Sequence, residues 1–226
     1  MSLSENLERV QAEISQAAKK AGREAAAINL IGVSKTATRP AIEAAVGLGL
    51  RDFGENRLPD AEERFTPLPY LPGQAQLHLI GHLQTNKARR AVALFDIIHS
   101  VDSVRLAEAL DRHCAELAKK MPVLLQVNVS GEESKEGLEP AQLPETLEKL
   151  LKLENLEVRG LMTIAPYAAE PEQTRPVFSG LRQLFEKHHP GTSSWRELSM
   201  GMTNDFMVAI EEGATMVRIG RAIFQY

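Results

Sequence analysis

The sequence predicts one α/β domain over residues 1–226: a (β/α)8 TIM barrel with an extra helix in front. Three observations predict it. Eight short apolar runs recur along the chain, amphipathic stretches separate them, and no G-x-G-x-x-G turn follows the first run. Continuous apolar runs alternating with helices mark a parallel sheet covered by helices. Eight such units in 226 residues fit a closed barrel. The missing glycine-rich turn counts against a dinucleotide-binding sheet. An open doubly wound sheet is the alternative that periodicity leaves standing.

The elements follow in order. Leu3, Leu7, Val10, Ile14 and Ala17 recur at helical steps, Ser2 and Glu5 have capping-box spacing, and Gly22 stops the helix. The eight runs are Asn29–Ser34, Leu50–Phe53, Leu77–Ile80, Asp96–Ser100, Val123–Val129, Leu156–Met162, Trp195–Ser199 and Met216–Ile219. Pro40 opens a helix with Ile42, Ala45 and Val46 inward and Gly49 at its end. Pro140 opens another with Leu143, Leu147, Leu150 and Leu151 on one face, and Thr174 with Pro176 a third carrying Val177, Leu181, Leu184 and Phe185. Thr203 is the expected cap of a fourth, which Gly213 closes. Three prolines make Phe65–Gly73 the expected irregular loop.

Bulk properties narrow the function. Apolar residues make up 43% of the chain, enough for one substantial core, and the net charge of -4 comes without a long basic block. Nucleic acid is therefore not an expected partner, and small anions stay open. The lone cysteine, Cys114, sits in a helical pattern with Ala107, Leu110 and Leu117, as a small buried hydrophobe would. With no apolar leader and no long apolar span, the expectation is a cytoplasmic protein without a membrane partner.

In βα barrels the active face lies at the C-terminal ends of the strands, with phosphate commonly held after strands seven and eight. The chemistry-bearing residues gather there: Lys35 after strand one, Gly54–Arg57 after strand two, Gly81-His82 after strand three, Met162-Thr163 ending strand six, Ser199–Thr203 ending strand seven and Gly220 ending strand eight. A lysine amine at a strand end can attack an aldehyde once burial or a neighbouring cation lowers its pKa; otherwise it is a solvated strand-end lysine. Gly201 allows close backbone approach, Ser199 and Thr203 carry hydroxyls, and turns at Thr203 and Gly220 point N–H groups at an anion. Taken singly, either turn reads more readily as an ordinary βα connection with a Thr N-cap; together, after strands seven and eight, the phosphate reading prevails. Amine and phosphate cradle together suggest pyridoxal 5'-phosphate (PLP) bound as a Schiff base.

Arg218 lies within the last strand, where a charge is expensive unless it faces the barrel mouth or finds a partner. It is either a structural ion pair or a partner for a pyridine nitrogen, which it would keep unprotonated. His78, His82 and His99 lack metal-ligand spacing, so no metal is expected. Met162, Met200 and Met202 are expected as pocket wall or core. The loop Ser130–Gly137 is either a solvated turn or a lid bearing Lys135.

The segments Gly32–Lys35, Phe53–Asn56, His78–Lys87, His99–Asp102, Ser130–Gly137, Gly160–Thr163, Leu198–Asp205 and Arg218–Gly220 resemble, in that order, the pyridoxal phosphate homeostasis proteins, also called the proline synthase co-transcribed family. The resemblance runs from about Ile31 to Phe224 and extends to the barrel domain of alanine racemases. It implies Lys35 as the Schiff-base lysine, Ser199, Gly201, Thr203 and Gly220 around the phosphate, Arg218 facing the pyridine nitrogen and Asn56 near the ring. With Met162 and Met200 these form the expected cofactor-binding set. The chain departs from the family pattern at Thr203, where Ser is frequent, and at Arg221, where a small or hydroxylated residue is usual.

The resemblance implies a protein that holds PLP in intracellular PLP homeostasis, with amino acids and apo-PLP enzymes as further partners; a monomer is expected because no second domain or evident apolar interface helix appears. Racemases of this fold carry a second β-rich domain, and only six residues follow Gly220 here. Racemisation needs a proton donor on each face of the substrate carbon. Of Tyr70, Tyr167 and Tyr226, only Tyr167 is placed to approach the mouth, so no catalytic residue is assigned. The alternatives are a weak PLP-dependent amino-acid racemase or other PLP enzyme, and a phosphosugar-type barrel enzyme without PLP.

Overall fold

A computed structural model describes residues 2–66, 75–132 and 135–225. Eight parallel strands close into a barrel in chain order. They are β1 (Asn29–Val33), β2 (Asp52–Glu55), β3 (Gln76–Leu79), β4 (Ile97–Val101), β5 (Met121–Gln126), β6 (Leu156–Met162), β7 (Glu197–Met202) and β8 (Met216–Ile219). Closure comes from β8 lying beside β1, with Asn29 opposite Met216 and Gly32 opposite Ile219. Helices α1 (Leu3–Lys20), α2 (Arg39–Gly47), α3 (Leu58–Phe65), α4 (Ala88–Leu94), α5 (Val104–Glu116), α6 (Leu143–Leu150), α7 (Arg175–Lys187), α8 (Phe206–Glu211) and α9 (Arg221–Phe224) surround it.

Local chemistry explains the boundaries. Ser2 and Glu5 form the expected capping box on α1. That helix packs on α8 and α9, and its buried Asn6 donates to the Ile223 carbonyl at 3.1 Å. The second run begins two residues later than the sequence pattern suggests: Leu50 closes the turn after α2, and the strand extends through Glu55. The fifth strand starts at Met121 and ends at Gln126, where the chain turns into the 127–138 loop. The seventh reaches Met202, so Ser199, Met200 and Gly201 lie within it. The expected Thr203 cap is displaced: Asp205 precedes α8 instead, accepting the Met202 N–H at 2.6 Å and folding residues 202–205 into a turn. Most of the proline-rich stretch, residues 67–73, lies outside the described residues, as do Tyr70 and Tyr226.

The main core lies between barrel and helices, where outward residues such as Phe53, Ile98, Leu125, Leu161, Leu198, Met200 and Ile219 meet the helical faces. Cys114 is buried there, and burial pushes its thiol up to about 11, so it behaves as a hydrophobe. A second, smaller cluster of Ile31, Leu124, Met162 and Met216 fills part of the barrel interior. Among the described residues no helix is long and apolar enough to cross a membrane, and no group of His, Cys, Asp and Glu is disposed to hold a metal ion.

Candidate functional site

The C-terminal mouth of the barrel opens into a cavity of about 430 Å³. Its wall brings together Lys35, Asn56, Thr203, Arg218 and Gly220 of the expected set, and adds Lys135, Tyr167, Asn204, Asp205 and Arg221. Met162, Ser199, Met200 and Gly201 are absent from that wall. Met162 lies deeper, in the interior apolar cluster, and Met200 points outward into the main core. Ser199 is buried beneath Arg218, its hydroxyl accepting from the guanidinium at 2.6 Å. Gly201 shapes the rim through its backbone. At φ +91°, a Cβ there would stand 2.6 Å from the Ala209 Cβ and 2.9 Å from the Phe206 Cα, so only glycine lets α8 settle on the strand end.

Lys35 follows β1, and its main chain is tied down from behind. The Ser34 hydroxyl donates to Glu55 at 2.8 Å, Arg64 pairs with the same carboxylate at 3.0 Å, and Arg64 also donates to the Lys35 carbonyl at 2.7 Å. Burial pushes the Glu55 carboxyl above its ordinary value, while the Ser34 hydroxyl and Arg64 oppose the shift. The Lys35 amine itself makes no hydrogen bond or ion pair among the described residues and lines the cavity. Asn56 reaches the wall because Gly81 passes beneath it: a Cβ on Gly81 would lie 2.2 Å from the Asn56 carbonyl oxygen.

Arg218 is buried and held from two sides, by Ser199 Oγ at 2.6 Å and by the Thr163 carbonyl at 2.8 Å. Burial lowers its pKa to about 10, against which nearby Asp205 acts, so the guanidinium stays charged at neutral pH. Two of its five N–H groups are thereby engaged within the protein. Burial also raises the Asp205 carboxyl, with the Met202 N–H and Arg218 pulling it back.

The displaced start of α8 has a chemical consequence. With Asp205 bonded to the Met202 N–H, the N–H groups of Thr203 and Asn204 make no hydrogen bond among the described residues, and neither does that of Gly220. These donors, the Thr203 hydroxyl and the Arg221 side chain share the end of the cavity after β7 and β8. Unpaired N–H groups beside a cation suit a phosphate. The donor set and the volume therefore fit an aromatic aldehyde phosphate, with an amine on one wall and a cation on the floor.

The described part of the 127–138 loop is organised by Asn128. Its side-chain NH2 donates to the Glu132 carbonyl at 2.9 Å, and its Oδ1 accepts from Ser130 and the Gly131 N–H. Lys135 reaches the cavity from this loop. Residues 133–134 lie outside the described residues.

The alanine racemase N-terminal domain family matches residues 6–226. A pyridoxal phosphate homeostasis protein of Aquifex aeolicus is 41% identical over 225 residues, 99% of this chain and 98% of that one. The chain belongs to this family. PipY of Synechococcus elongatus PCC7942, solved with PLP bound, superposes with a TM-score of 0.86 at 36% identity, over 99% of this chain and 100% of PipY. An alanine racemase of Clostridium difficile 630 shares the fold, with a TM-score of 0.73 at 16% identity; the match covers 100% of this chain and 56% of the racemase. The open-sheet alternative is thereby replaced by the closed racemase-type barrel.

Proposed function

We propose that this chain takes up, holds and releases PLP at the barrel mouth as part of PLP homeostasis in the cytoplasm. The observation that carries this reading is one cavity whose wall holds the buried Arg218 cation together with a Lys35 amine and Thr203, Asn204 and Gly220 N–H groups that find no partner among the described residues. Support comes from a relative solved with PLP bound and from relatives named for PLP homeostasis. When bound, PLP supplies an aldehyde for a reversible covalent link to an amine and a ring that can withdraw electrons.

The chain's own residues divide the work. Lys35, its backbone pinned through Arg64 and Glu55, presents the attacking amine. Thr203, Asn204, Gly220 and Arg221 would hold the phosphate, and Asn56 would border the ring. Arg218, charged at neutral pH, would hold the ring nitrogen with a donor and keep it unprotonated, so that the bound group would withdraw electrons less strongly. Ser199, Met162, Met200 and Gly201 act from beneath or behind this wall. Such a site favours holding over turnover.

A second reading, slow racemisation of an amino acid, has one observation in its favour: Tyr167 lines the cavity. Tyr167 is 82% exposed, however, and lacks the desolvated, fixed setting that a proton donor opposite Lys35 requires. The experiment that separates the readings follows PLP release to an apo-enzyme beside α-proton exchange of alanine in deuterated water. The holding reading expects transfer of PLP and exchange no faster than with free PLP. Lys35-dependent exchange that falls on Tyr167→Phe would establish the enzyme instead.

A further inference from the structure

Beneath the cavity, a line of buried polar side chains crosses the barrel interior from β8 to β2. Arg218 donates to Ser199 Oγ at 2.6 Å, and Ser199 Oγ meets His99 Nδ1 at 2.9 Å. His99 Nε2 meets His78 Nδ1 at 2.9 Å, and His78 Nε2 meets Asp52 Oδ1 at 2.9 Å. Ser199, His99 and His78 are wholly buried, and Asp52 keeps 20% side-chain exposure. The four links join five strands, because consecutive members come from β8, β7, β4, β3 and β2.

The two ends dictate the direction of every hydrogen between them. Arg218 can only donate, and an ionised Asp52 can only accept; a neutral imidazole has one donor and one acceptor. His78 therefore donates through Nε2 to Asp52 and accepts at Nδ1 from the Nε2–H of His99. The remaining His99 Nδ1 accepts the Ser199 O–H, which leaves a Ser199 lone pair for Arg218. With both rings neutral, no other order satisfies every group. Burial, with His78 and Arg218 close by, holds His99 well below the usual histidine range, in keeping with a neutral ring. The groups facing the line are Asp52 at its foot and Arg218 at its head, with Asp205 acting on Arg218.

A buried network of this kind is rigid when every member is satisfied, and costly when one is not. Ser199 and the Thr163 carbonyl are the two points that aim the Arg218 guanidinium. Of these, only Ser199 can turn its hydrogen, and the tautomer of His99 decides which way. We propose that His78 and His99, anchored by Asp52, are positioning residues for Arg218: their fixed tautomer order keeps the Ser199 lone pair under the guanidinium and so sets the donor offered to the PLP ring nitrogen. The proposal rests on the PLP-holding reading of the cavity.

The test compares wild-type protein with His78→Leu, His78→Gln and Ser199→Ala, each shown to be folded by circular dichroism. Two quantities are measured for bound PLP: the pH midpoint of its visible absorbance band, and its release rate into a trapping apo-enzyme. His78→Leu leaves the His99 Nε2–H without an acceptor although residue 78 touches neither Arg218 nor the cavity. It is expected to move the midpoint and speed release roughly fivefold, about the worth of one hydrogen bond. Ser199→Ala, which severs the last link, is expected to shift both in the same direction, and it carries the test alone if His78→Leu does not fold. His78→Gln should stay near wild type, because a carboxamide can accept from His99 and donate to Asp52. Folded variants with the wild-type midpoint and release rate overturn the inference while leaving PLP binding intact. A wild-type protein that binds no PLP overturns both readings together.

Discussion

The two halves of the barrel interior are built on opposite principles. On one side Ile31, Leu124, Met162 and Met216 from β1, β5, β6 and β8 fill space without a polar atom in their side chains. On the other, Asp52, His78, His99 and Ser199 from β2, β3, β4 and β7 form a line in which each hydrogen has one place. β8 contributes to both, Met216 to the apolar half and Arg218 to the polar one. A volume-filled half tolerates change of shape; a hydrogen-bonded half tolerates little change of direction. The cavity at the barrel mouth sits where the cation of the polar half emerges.

This difference can be broken from either side. Leu124→Ala should cost about 3 kcal/mol through the cavity it leaves, measured by urea unfolding, whereas Leu124→Met should cost less than about 1.5 kcal/mol. Neither should alter how stability depends on pH. Ser199→Ala removes little volume yet strands an Arg218 donor and a His99 acceptor. Its expected cost is about 2 kcal/mol, and a cost no larger than that of Leu124→Met would erase the distinction between the halves.

Acid titration sharpens the comparison. The folded value of His99 lies below its ordinary value of 6.5. As pH falls through that unfolded value, the unfolded chain takes up a proton that the native barrel refuses. Stability from this group is therefore full above about pH 6.5 and declines below it, by up to about 1.4 kcal/mol per pH unit. Urea unfolding at pH 7.5, 6.5 and 5.5 should show this slope reduced in His99→Phe and unchanged in Leu124→Met. The smallest effect lies outside both halves: Ser2→Ala removes the α1 cap and should cost about 1 kcal/mol at every pH in that range.

Much of the fold was legible because it is written in local pattern. All eight apolar runs became strands, and the Ser2–Glu5 box capped the first helix. Ends were less legible where a tertiary contact decides them. A threonine three residues before Phe206 has the look of a cap, yet Asp205 wins because its carboxylate can reach back to the Met202 N–H. The cavity wall was partly legible: Lys35, Asn56, Thr203, Arg218 and Gly220 stand at strand ends, where barrel geometry concentrates function. Lys135, Tyr167, Asn204 and Asp205 reach it from loops, whose course no periodicity encodes. The polar line was hidden by separation, since His78 and His99 are 21 residues apart and His99 and Ser199 are 100 apart. Its one local signal was a histidine at an inward position in each of two neighbouring strands, which a search for metal-ligand spacing passes over.

The most direct measurement is covalent mapping. The protein is mixed with PLP in slight excess, reduced with borohydride, digested and analysed by mass spectrometry, beside Lys35→Ala. The expected result is a visible absorbance band that borohydride abolishes, with a pyridoxyl phosphate adduct on the peptide containing Lys35 and no such adduct in the variant. An absent band, or an adduct confined to Lys135 or other lysines and unchanged in Lys35→Ala, would contradict Lys35 as the residue that holds PLP.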